Sequence, residues 1–272
     1  MTYDKIILIT GSTDGIGYQT VIELVKSGYH VILHGRNREK AELTMQRIEK
    51  ITNKNNISSV YADLSSFNEI KEMVSDIFDR FNSLDVLINN AGVYKSKRQI
   101  TQEGLEETFA INYIAPFLIT NLLINLLKKA ESSRIVNVVS RVQSNHFDFN
   151  DFHFEGDYTG VKAYAKSKTA LILFTYLLAD KLRNTDITVN CLHPGVINTK
   201  LLRSAYGSGG ASLVDGAKTL IFAALAPEIK GISGKYFVNN RSEPSKDITY
   251  NIEIQRKLWK KTEKIVGMEF NY

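Results

Sequence analysis

Short apolar runs alternate with longer segments of helical periodicity along almost the whole chain. The apolar runs are mostly continuous and rich in Val and Ile, which is typical of strands covered on both faces of a sheet. They predict strands over Lys5–Thr10, His30–His34, Ile57–Ala62, Asp85–Asn89, Arg134–Val139, Ile187–Leu192 and Lys235–Val238. The longer segments predict helices near residues 16–28, 38–52, 67–82, 102–129, 163–183 and 213–225, and a C-terminal helix over Ile252–Val266.

This strand–helix order predicts a single α/β domain over residues 1–272, with a seven-stranded parallel sheet of the doubly wound Rossmann type. A chain of 272 residues, 43% of them hydrophobic, is large enough to bury one such core. In such a sheet, ligands bind beyond the carboxyl ends of the strands. We therefore expect functional residues directly after strands, and substrate-binding segments at about 141–162 and 196–215.

Charge and cysteine content exclude several classes of function. The 34 basic residues are spread along the chain and mixed with 29 acids, so no nucleic-acid partner is expected. The single cysteine, Cys191, forms no internal disulfide and predicts a buried, inert thiol in a reducing compartment. The apolar region Tyr113–Leu127 contains Asn121 and Asn125, and we expect it to be too short and too polar to span a membrane. With the first strand starting at Lys5, no signal peptide is expected, and we predict a cytoplasmic location.

The first strand runs into a turn of closely spaced glycines, Gly11-Ser12-Thr13-Asp14-Gly15-Ile16-Gly17. Glycine adopts backbone angles closed to other residues and lets a ligand approach the main chain. A strand, a tight turn and a helix N-terminus together favour the binding of a diphosphate. Taken alone, the same pattern also fits an ordinary sharp turn between a strand and a helix.

Residues after the next strands point to a dinucleotide. Arg36 follows the second strand, where NAD-preferring enzymes usually place an acid, and a guanidinium suits a 2′-phosphate. NADP is therefore expected rather than NAD, although a surface arginine in this loop is the alternative. Asp63 and Leu64 after the third strand are positioned for the adenine. The fourth strand is followed by Asn90, Ala91 and Gly92, whose small size lets the chain pass close to the adenosine.

The candidate chemistry lies after the fifth strand and on the next helix. Ser140 ends that strand, and Tyr164 and Lys168 share one helix face at a spacing of four residues. An ammonium near a phenol stabilises the phenolate, which suits acid–base work. A second Tyr-x-x-x-Lys pair, Tyr158 and Lys162, lies between glycines in a stretch not expected to be helical. We therefore assign catalysis to the pair formed by Tyr164 and Lys168.

These motifs resemble those of the short-chain dehydrogenase/reductase family, and within it the retinol-dehydrogenase-like group. Residues 10–17 match its Thr-Gly-x-x-x-Gly-x-Gly, and residues 89–92 match its Asn-Asn-Ala-Gly. Ser140, Tyr164 and Lys168 match its catalytic positions. The subgroup resemblance covers nearly the whole chain and includes residues 109–112, 193–199 and 233–237.

The resemblance implies roles for individual residues. Tyr164 would exchange the proton of the substrate oxygen, Ser140 would hydrogen-bond that oxygen, and Lys168 would bind the nicotinamide ribose. Asn112 would support a water-linked proton path, chiefly through its backbone. Pro194 and Gly195 match the motif after the sixth strand, and Thr199 would bond the carboxamide. Dimers or tetramers through the helices near 102–129 and 163–183 are also implied, and the alternative is that the C-terminal helix with Trp259 covers these surfaces.

The substrate side is less defined by the sequence. Residues 145–155 carry four phenylalanines, expected to pack on the domain or border a lipophilic pocket, and two histidines whose spacing fits no usual metal site. Residues 207–210 predict a hinge in a segment that covers the substrate, and an ordinary flexible loop is the alternative. Our hypothesis is an NADP-dependent enzyme interconverting an alcohol and a carbonyl of a small lipophilic substrate, such as a retinoid, a steroid or a xenobiotic ketone or aldehyde. The alternative is a non-catalytic NADP-binding redox sensor or interaction module on the same fold.

Overall fold

A twisted sheet forms the centre of the computed structural model, which describes residues 4–149 and 151–271. Asn150, in the predicted substrate-binding segment, and the chain ends at 1–3 and 272 lie outside the described residues. The strands are β1 (Ile6–Ile9), β2 (His30–Gly35), β3 (Ile57–Tyr61), β4 (Val86–Asn89), β5 (Ser133–Val138), β6 (Ile187–His193), β7 (Tyr236–Val238) and β8 (Arg241–Glu243). Their spatial order is β3-β2-β1-β4-β5-β6-β7-β8. The order of the strands reverses between β1 and β4, which opens a crevice at their carboxyl ends.

Helices cover both faces of this sheet. They are α1 (Gly15–Lys26), α2 (Arg38–Thr52), α3 (Phe67–Arg80), α4 (Glu107–Phe109), α5 (Ala115–Leu127), α6 (Gly160–Lys181), α7 (Lys200–Tyr206), α8 (Leu213–Leu225) and α9 (Ile252–Val266). A π-helical turn, Ala110–Ile114, joins α4 to α5. Short 3₁₀ turns follow α8 and precede α9.

Alternation along the strands divides the interior into two hydrophobic cores. Ile7 and Ile9 pack in the core that contains Val21 of α1 and Leu220 of α8. Leu8 points to the opposite face, into the core that contains Leu118 of α5. Because successive strand side chains alternate between faces, these continuous apolar runs bury side chains on both sides.

The sheet has one more strand than the sequence predicted. The seven expected strands are present within about one residue of their expected bounds and are mutually parallel. The eighth, β8, folds back antiparallel on β7 through Asn239 and Asn240. Their φ angles of 49° and 61° are those of a tight two-residue hairpin, and asparagine tolerates this region better than most residues. The expectation of a wholly parallel seven-stranded sheet is wrong in this one respect.

The predicted helix over 102–129 begins later and is interrupted. Its first regular turn starts at Glu107, capped by the buried Glu106 carboxylate, which accepts hydrogen bonds from the amides of Thr108 and Phe109. By length and composition alone, the helical stretch Glu107–Leu127 would be able to cross a membrane. However, 89% of its most apolar part is buried in the domain. The predicted region Tyr113–Leu127 is the shorter, C-terminal part of this stretch, and core packing accounts for its apolar character. The lack of an integral membrane segment stays a prediction.

The C-terminal helix α9 packs on the outer face of α6. Trp259 is 3% exposed and contacts Phe117 and Phe174, with ring centroids 5.0 and 5.9 Å away. The hydroxyl of Tyr113 lies 2.7 Å from that of Thr262 on the same helix. Since α9 covers part of the α5 and α6 faces, a homodimer through those faces would have to form around it.

Removal of the Trp259 side chain should destabilise the whole domain. We expect Trp259→Ala to lower the free energy of unfolding by about 3–5 kcal/mol, because it leaves a cavity between α5, α6 and α9. Urea denaturation measures this change. Arg256→Ala, an exposed position on the same helix, should stay within about 0.5 kcal/mol of the parent. A Trp259→Ala loss below about 1 kcal/mol would show that α9 is only loosely docked.

Candidate active site

One cleft of about 670 Å³ lies at the carboxyl ends of the strands. It extends from the turn after β1, past the ends of β2, β3 and β4, to the start of α6 and the segment after β6. Most of the predicted site residues meet here, although they come from distant parts of the sequence. They are Gly11, Thr13, Asp14, Gly15, Ile16, Arg36, Asp63, Leu64, Asn90, Ala91, Gly92, Ser140, Tyr164, Lys168, Pro194, Gly195 and Thr199.

Three glycines of the first turn have different roles. A Cβ on Gly11 would lie 2.7 Å from Cα of Ala91, and one on Gly17 would lie 2.5 Å from Nδ2 of Asn90. Both glycines therefore permit the close approach of two backbone segments. Gly15 has a φ of +60° but ample space, the nearest atom being Cγ2 of Thr199 at 3.7 Å. It leaves the N-terminus of α1 accessible to a ligand.

Hydrogen bonds beneath the cleft hold this turn in place. The side-chain amide of Asn90 donates to the carbonyl oxygens of Thr10 and Gly11, at 2.8 and 3.0 Å. The Thr10 hydroxyl oxygen accepts from the backbone amides of Asn90 and Ala91. Ser12, predicted to bind cofactor, is fully buried, and its hydroxyl donates to the carbonyl of Ile9. Ser12 and Gly17 thus lie below the cleft surface rather than on it.

A buried histidine that the sequence analysis missed supports the same turn. Nδ1 of His34 accepts from the backbone amide of Gly11 at 2.9 Å, and its Nε2 lies 3.1 Å from the carbonyl oxygen of Ala62. Because the amide must donate, Nε2 carries the ring proton. Burial lowers the pKa of His34 to about 4, so the ring is neutral at physiological pH. A histidine inside an apolar strand gives no sequence signal for this bracing role.

The end of the cleft beside β2 and β3 carries two cations. Arg36 is exposed directly after β2, and Lys40 in the first turn of α2 lines the same wall. Opposite them, Asp63 accepts hydrogen bonds from the backbone and hydroxyl of Ser65. Burial raises the pKa of Asp63, but these bonds and the charge of Arg36 outweigh it and leave the pKa below its usual value. Lys40 was not predicted as a site residue, because the sequence does not show that the first turn of α2 lies against this end of the cleft.

The three predicted catalytic side chains line the other half of the cleft. Ser140 follows β5, and its Oγ accepts from the amide of Val142 at 3.1 Å, which leaves the hydroxyl proton free to be donated. Tyr164 and Lys168 lie in the first turns of α6, and Nζ of Lys168 is 5.6 Å from the centre of the Tyr164 ring. All three are less than 10% exposed. The arrangement combines a hydroxyl donor, a phenol and a cation on one wall.

Lys168 is an ammonium group held at a buried position. It is 3% exposed, and its Nζ donates to the carbonyl oxygen of Val138 at 2.8 Å. Burial lowers the pKa of Lys168 to about 8, because the charged form loses contact with water. The group therefore keeps its proton at neutral pH but releases it within a moderately alkaline range.

Asn112 does not line the cleft. Its side chain is fully buried in the π-helical turn and exchanges hydrogen bonds with the backbone of Val93, at 2.8 and 3.0 Å. Its amide also donates to the hydroxyl of Ser167 at 3.1 Å. Asn112 thereby fixes the loop after β4 against α6, beside Lys168. A role of its backbone in proton transfer stays a prediction.

The hydroxyl of the alternative tyrosine, Tyr158, is bound to groups of the protein. Its hydroxyl oxygen lies 2.9 Å from the carbonyl oxygen of Lys95 and 3.1 Å from the buried carboxylate of Glu106, and these two acceptors share its one proton. Burial and the neighbouring Glu106 carboxylate raise the pKa of Tyr158 to about 12. It precedes α6, which begins at Gly160 behind the capping Thr159. These contacts support the assignment of acid–base chemistry to Tyr164.

The remaining cleft surface combines apolar side chains with the polar residues Lys95, Arg141, His193 and Ser204. Tyr94 lies beside Tyr164, with ring centroids 6.2 Å apart, and Val142, Leu201 and Leu202 complete this wall. The phenylalanines of the 145–155 segment pack elsewhere: Phe152 and Phe154 contact Phe109, and the Lys166 ammonium lies over their rings, 5.3 and 4.6 Å from the ring centres. Of residues 141–162, Arg141 and Val142 reach the cleft.

Comparison with known proteins agrees with this geometry. Residues 5–207 match the short chain dehydrogenase family. Human polyprenol dehydrogenase is 35% identical, with 97% of this chain and 86% of that protein aligned. Human retinol dehydrogenase 13 is 34% identical over 97% of this chain and 85% of its own. The structure of a short chain dehydrogenase from Shigella flexneri complexed with NADP superposes with a TM-score of 0.71 and 25% identity, covering 86% of this chain and 96% of that one.

The family match over residues 5–207 includes every residue that lines the cleft. The resemblance inferred from the glycine turn, the Asn-Asn-Ala-Gly segment and the serine, tyrosine and lysine is therefore confirmed at the level of the family. The chain belongs to the short-chain dehydrogenase family and is related to its retinol dehydrogenases.

Proposed function

We propose that this dehydrogenase uses NADP to interconvert an alcohol and a ketone or aldehyde of a small lipophilic substrate. The observation that carries the proposal is that Ser140, Tyr164 and Lys168 line the same cleft as the glycine turn after β1. Oxidation of NADPH with a panel of aliphatic, aromatic and isoprenoid carbonyls tests it. Cofactor binding without turnover across the panel would favour the alternative, a redox sensor on this fold.

The residues present fit a nicotinamide dinucleotide. The space over Gly15 leaves the N-terminus of α1 accessible, and such a terminus favours a diphosphate. Arg36 and Lys40 lie where the 2′-phosphate of NADP would need a counter-charge, and the sequence has no acid between Gly35 and Arg38. The NADP bound to the Shigella flexneri relative supports the same choice.

The protein groups supply proton transfer and charge stabilisation. The bound nicotinamide would donate or accept the hydride. Tyr164 gives its proton to the carbonyl oxygen during reduction and accepts it during oxidation. Ser140 donates a hydrogen bond to the same oxygen as negative charge develops there. The buried Lys168 ammonium stabilises the phenolate form of Tyr164 and is available to the ribose hydroxyls.

Apolar residues in the cleft support the proposal of a lipophilic substrate. Leu201, Leu202 and Val142 line the same cleft as Tyr164, and such surface favours an apolar ligand with one polar centre. The names of the polyprenol and retinol dehydrogenases support an isoprenoid alcohol or its carbonyl. A cytoplasmic location, the lack of an integral membrane segment and a homodimer stay predictions.

The two tyrosines give the first test of the mechanism. We expect Tyr164→Phe to lower kcat for carbonyl reduction by about 10²–10⁴-fold, because the proton donor is lost. NADPH affinity, measured by fluorescence titration, should change little. The matched variant Tyr158→Phe should keep kcat within about threefold while losing about 1–3 kcal/mol of stability at Glu106. The opposite pattern of activities would assign catalysis to Tyr158.

The buried lysine predicts the pH dependence. Because the pKa of Lys168 is lowered to about 8, its ammonium persists below that pH and is lost above it. In the reductive direction, kcat/KM for NADPH should therefore be flat near neutral pH and fall about tenfold per unit above pH 8. Lys168→Arg keeps a cation at all accessible pH values and should lose this alkaline decline, at a reduced rate. An unchanged decline in Lys168→Arg would assign it to another group.

Cofactor choice is tested at the end of β2. Arg36→Ala should weaken NADPH binding about tenfold, through loss of the phosphate contact, and leave NADH binding unchanged. Arg38→Ala provides the control, since Arg38 pairs with Glu42 at 2.8 Å and lies outside the cleft. Equal losses for the two cofactors in Arg36→Ala would exclude a 2′-phosphate site at this residue.

A further inference from the structure

An ion pair joins the two walls of the cleft. Nζ of Lys200, the first residue of α7, lies 2.5 Å from Oδ2 of Asp14 in the glycine turn. The two side chains are 76% and 49% exposed. Such an exposed pair contributes little to the stability of a fold. Its position, with both residues lining the cofactor half of the cleft, calls for a different explanation.

The Asp14 carboxylate occupies an unusual place for an acid in a diphosphate site. It caps α1 by accepting from the amide of Gly15 at 2.8 Å, at the positive end of the helix where a diphosphate is expected. Burial raises the pKa of Asp14, but the bonds from Lys200 and Gly15 outweigh it and leave the pKa below its usual value. At neutral pH a diphosphate would therefore enter beside an ionised carboxylate, and the repulsion requires a counter-charge.

The segment that carries Lys200 is a loop closed at its base. The amide of Asn198 donates to the carbonyl of Ala211 at 3.0 Å, and the amide of Ala211 donates to the carbonyl of Val196 at 2.8 Å. Between these ends, α7 is followed by Gly207 and Gly209, both with positive φ and with open space where a Cβ would lie. The loop thus has a fixed base and a loosely packed distal side, with Lys200 facing the glycine turn.

We propose that Lys200 is a further cofactor-binding residue, which neutralises Asp14 in the free protein and contacts the diphosphate when NADP binds. The inference rests on the proposed function, since it assumes a dinucleotide in this cleft. The inference extends the proposed function, because it assigns a diphosphate contact to the loop over residues 198–211, on the side of the cleft opposite the glycine turn. Cofactor binding would thereby hold this loop against the cleft.

Binding measurements on Lys200→Met test the proposal. We expect about tenfold weaker NADPH binding by fluorescence titration, because a charge-assisted contact is lost and Asp14 is left without its partner. In an Asp14→Asn background, Lys200→Met should still weaken binding, by about threefold, through the lost diphosphate contact alone. Arg203→Met is the matched control on α7, because Arg203 pairs with Asn198 and does not line the cleft.

A ligand without a diphosphate separates this contact from the 2′-phosphate site. The probe 2′-AMP should bind the parent and Lys200→Met equally well by calorimetry. NADPH should also slow amide hydrogen exchange over residues 199–206 in the parent more than in Lys200→Met.

The possible failures are distinguishable. If the parent protein binds no NADPH, the proposed function is wrong. If the parent binds NADPH but Lys200→Met matches it within about twofold, or loses 2′-AMP equally, the role of Lys200 is overturned while the proposed function stands. An effect that vanishes in the Asp14→Asn background would reduce Lys200 to a partner of Asp14 and exclude the diphosphate contact.

Discussion

The close contact between the turns after β1 and β4 is the constraint on which the site depends. Gly11 approaches Ala91 so closely that a Cβ would lie 2.7 Å from its Cα, and the side-chain amide of Asn90 satisfies the carbonyls of Thr10 and Gly11. These contacts fix the switch point of the sheet, where the crevice opens. His34 adds a third support from β2, since its neutral ring accepts from the amide of Gly11. The glycine turn of the cleft is therefore braced by contacts from both β2 and the turn after β4.

The half of the cleft that holds Ser140, Tyr164 and Lys168 depends on a buried charge. Lys168 retains a charge in a position where burial disfavours it, with one carbonyl oxygen as its hydrogen-bond partner in the described structure. Buried charges of this kind are typical of functional sites, because stability alone would favour an apolar residue. The hydrogen bond between Asn112 and Ser167 fixes the adjoining loop. The free-energy cost of burying the Lys168 charge is therefore met in a part of the fold that is held by further hydrogen bonds. The catalytic half thus combines a braced loop with α7, which ends at glycines that have open space around them.

Much of this arrangement could be predicted from the sequence, for identifiable reasons. Strand and helix positions followed from apolar periodicity, and the cleft residues followed from the rule that ligands bind where parallel strands end. The assignment of Tyr164 over Tyr158 rested on helix context, and the contacts of Tyr158 with Lys95 and Glu106 agree with it. Local signals were sufficient where one strand or one turn determines the position.

Features that depend on tertiary contact were missed. The Asn239–Asn240 hairpin carried a usable signal, since adjacent asparagines favour a tight turn, but β8 itself is too short to show a pattern. Helix α7 and its Lys200 lie in the predicted substrate-binding segment at 196–215, for which no helix was predicted. The inward orientation of Ser12 depends in part on the distant amide of His34, and that of Asn112 depends on Val93 and Ser167. Spacing alone does not reveal which side of a loop a residue faces.

A crystal structure with bound NADPH tests the central claim most directly. The account predicts the diphosphate over Gly15, the 2′-phosphate between Arg36 and Lys40, and the nicotinamide ring beside Tyr164, Ser140 and Lys168. The cofactor's electron density would show all three contacts in one cleft. Density with the nicotinamide remote from Tyr164, or with the dinucleotide bound outside this cleft, would contradict the account.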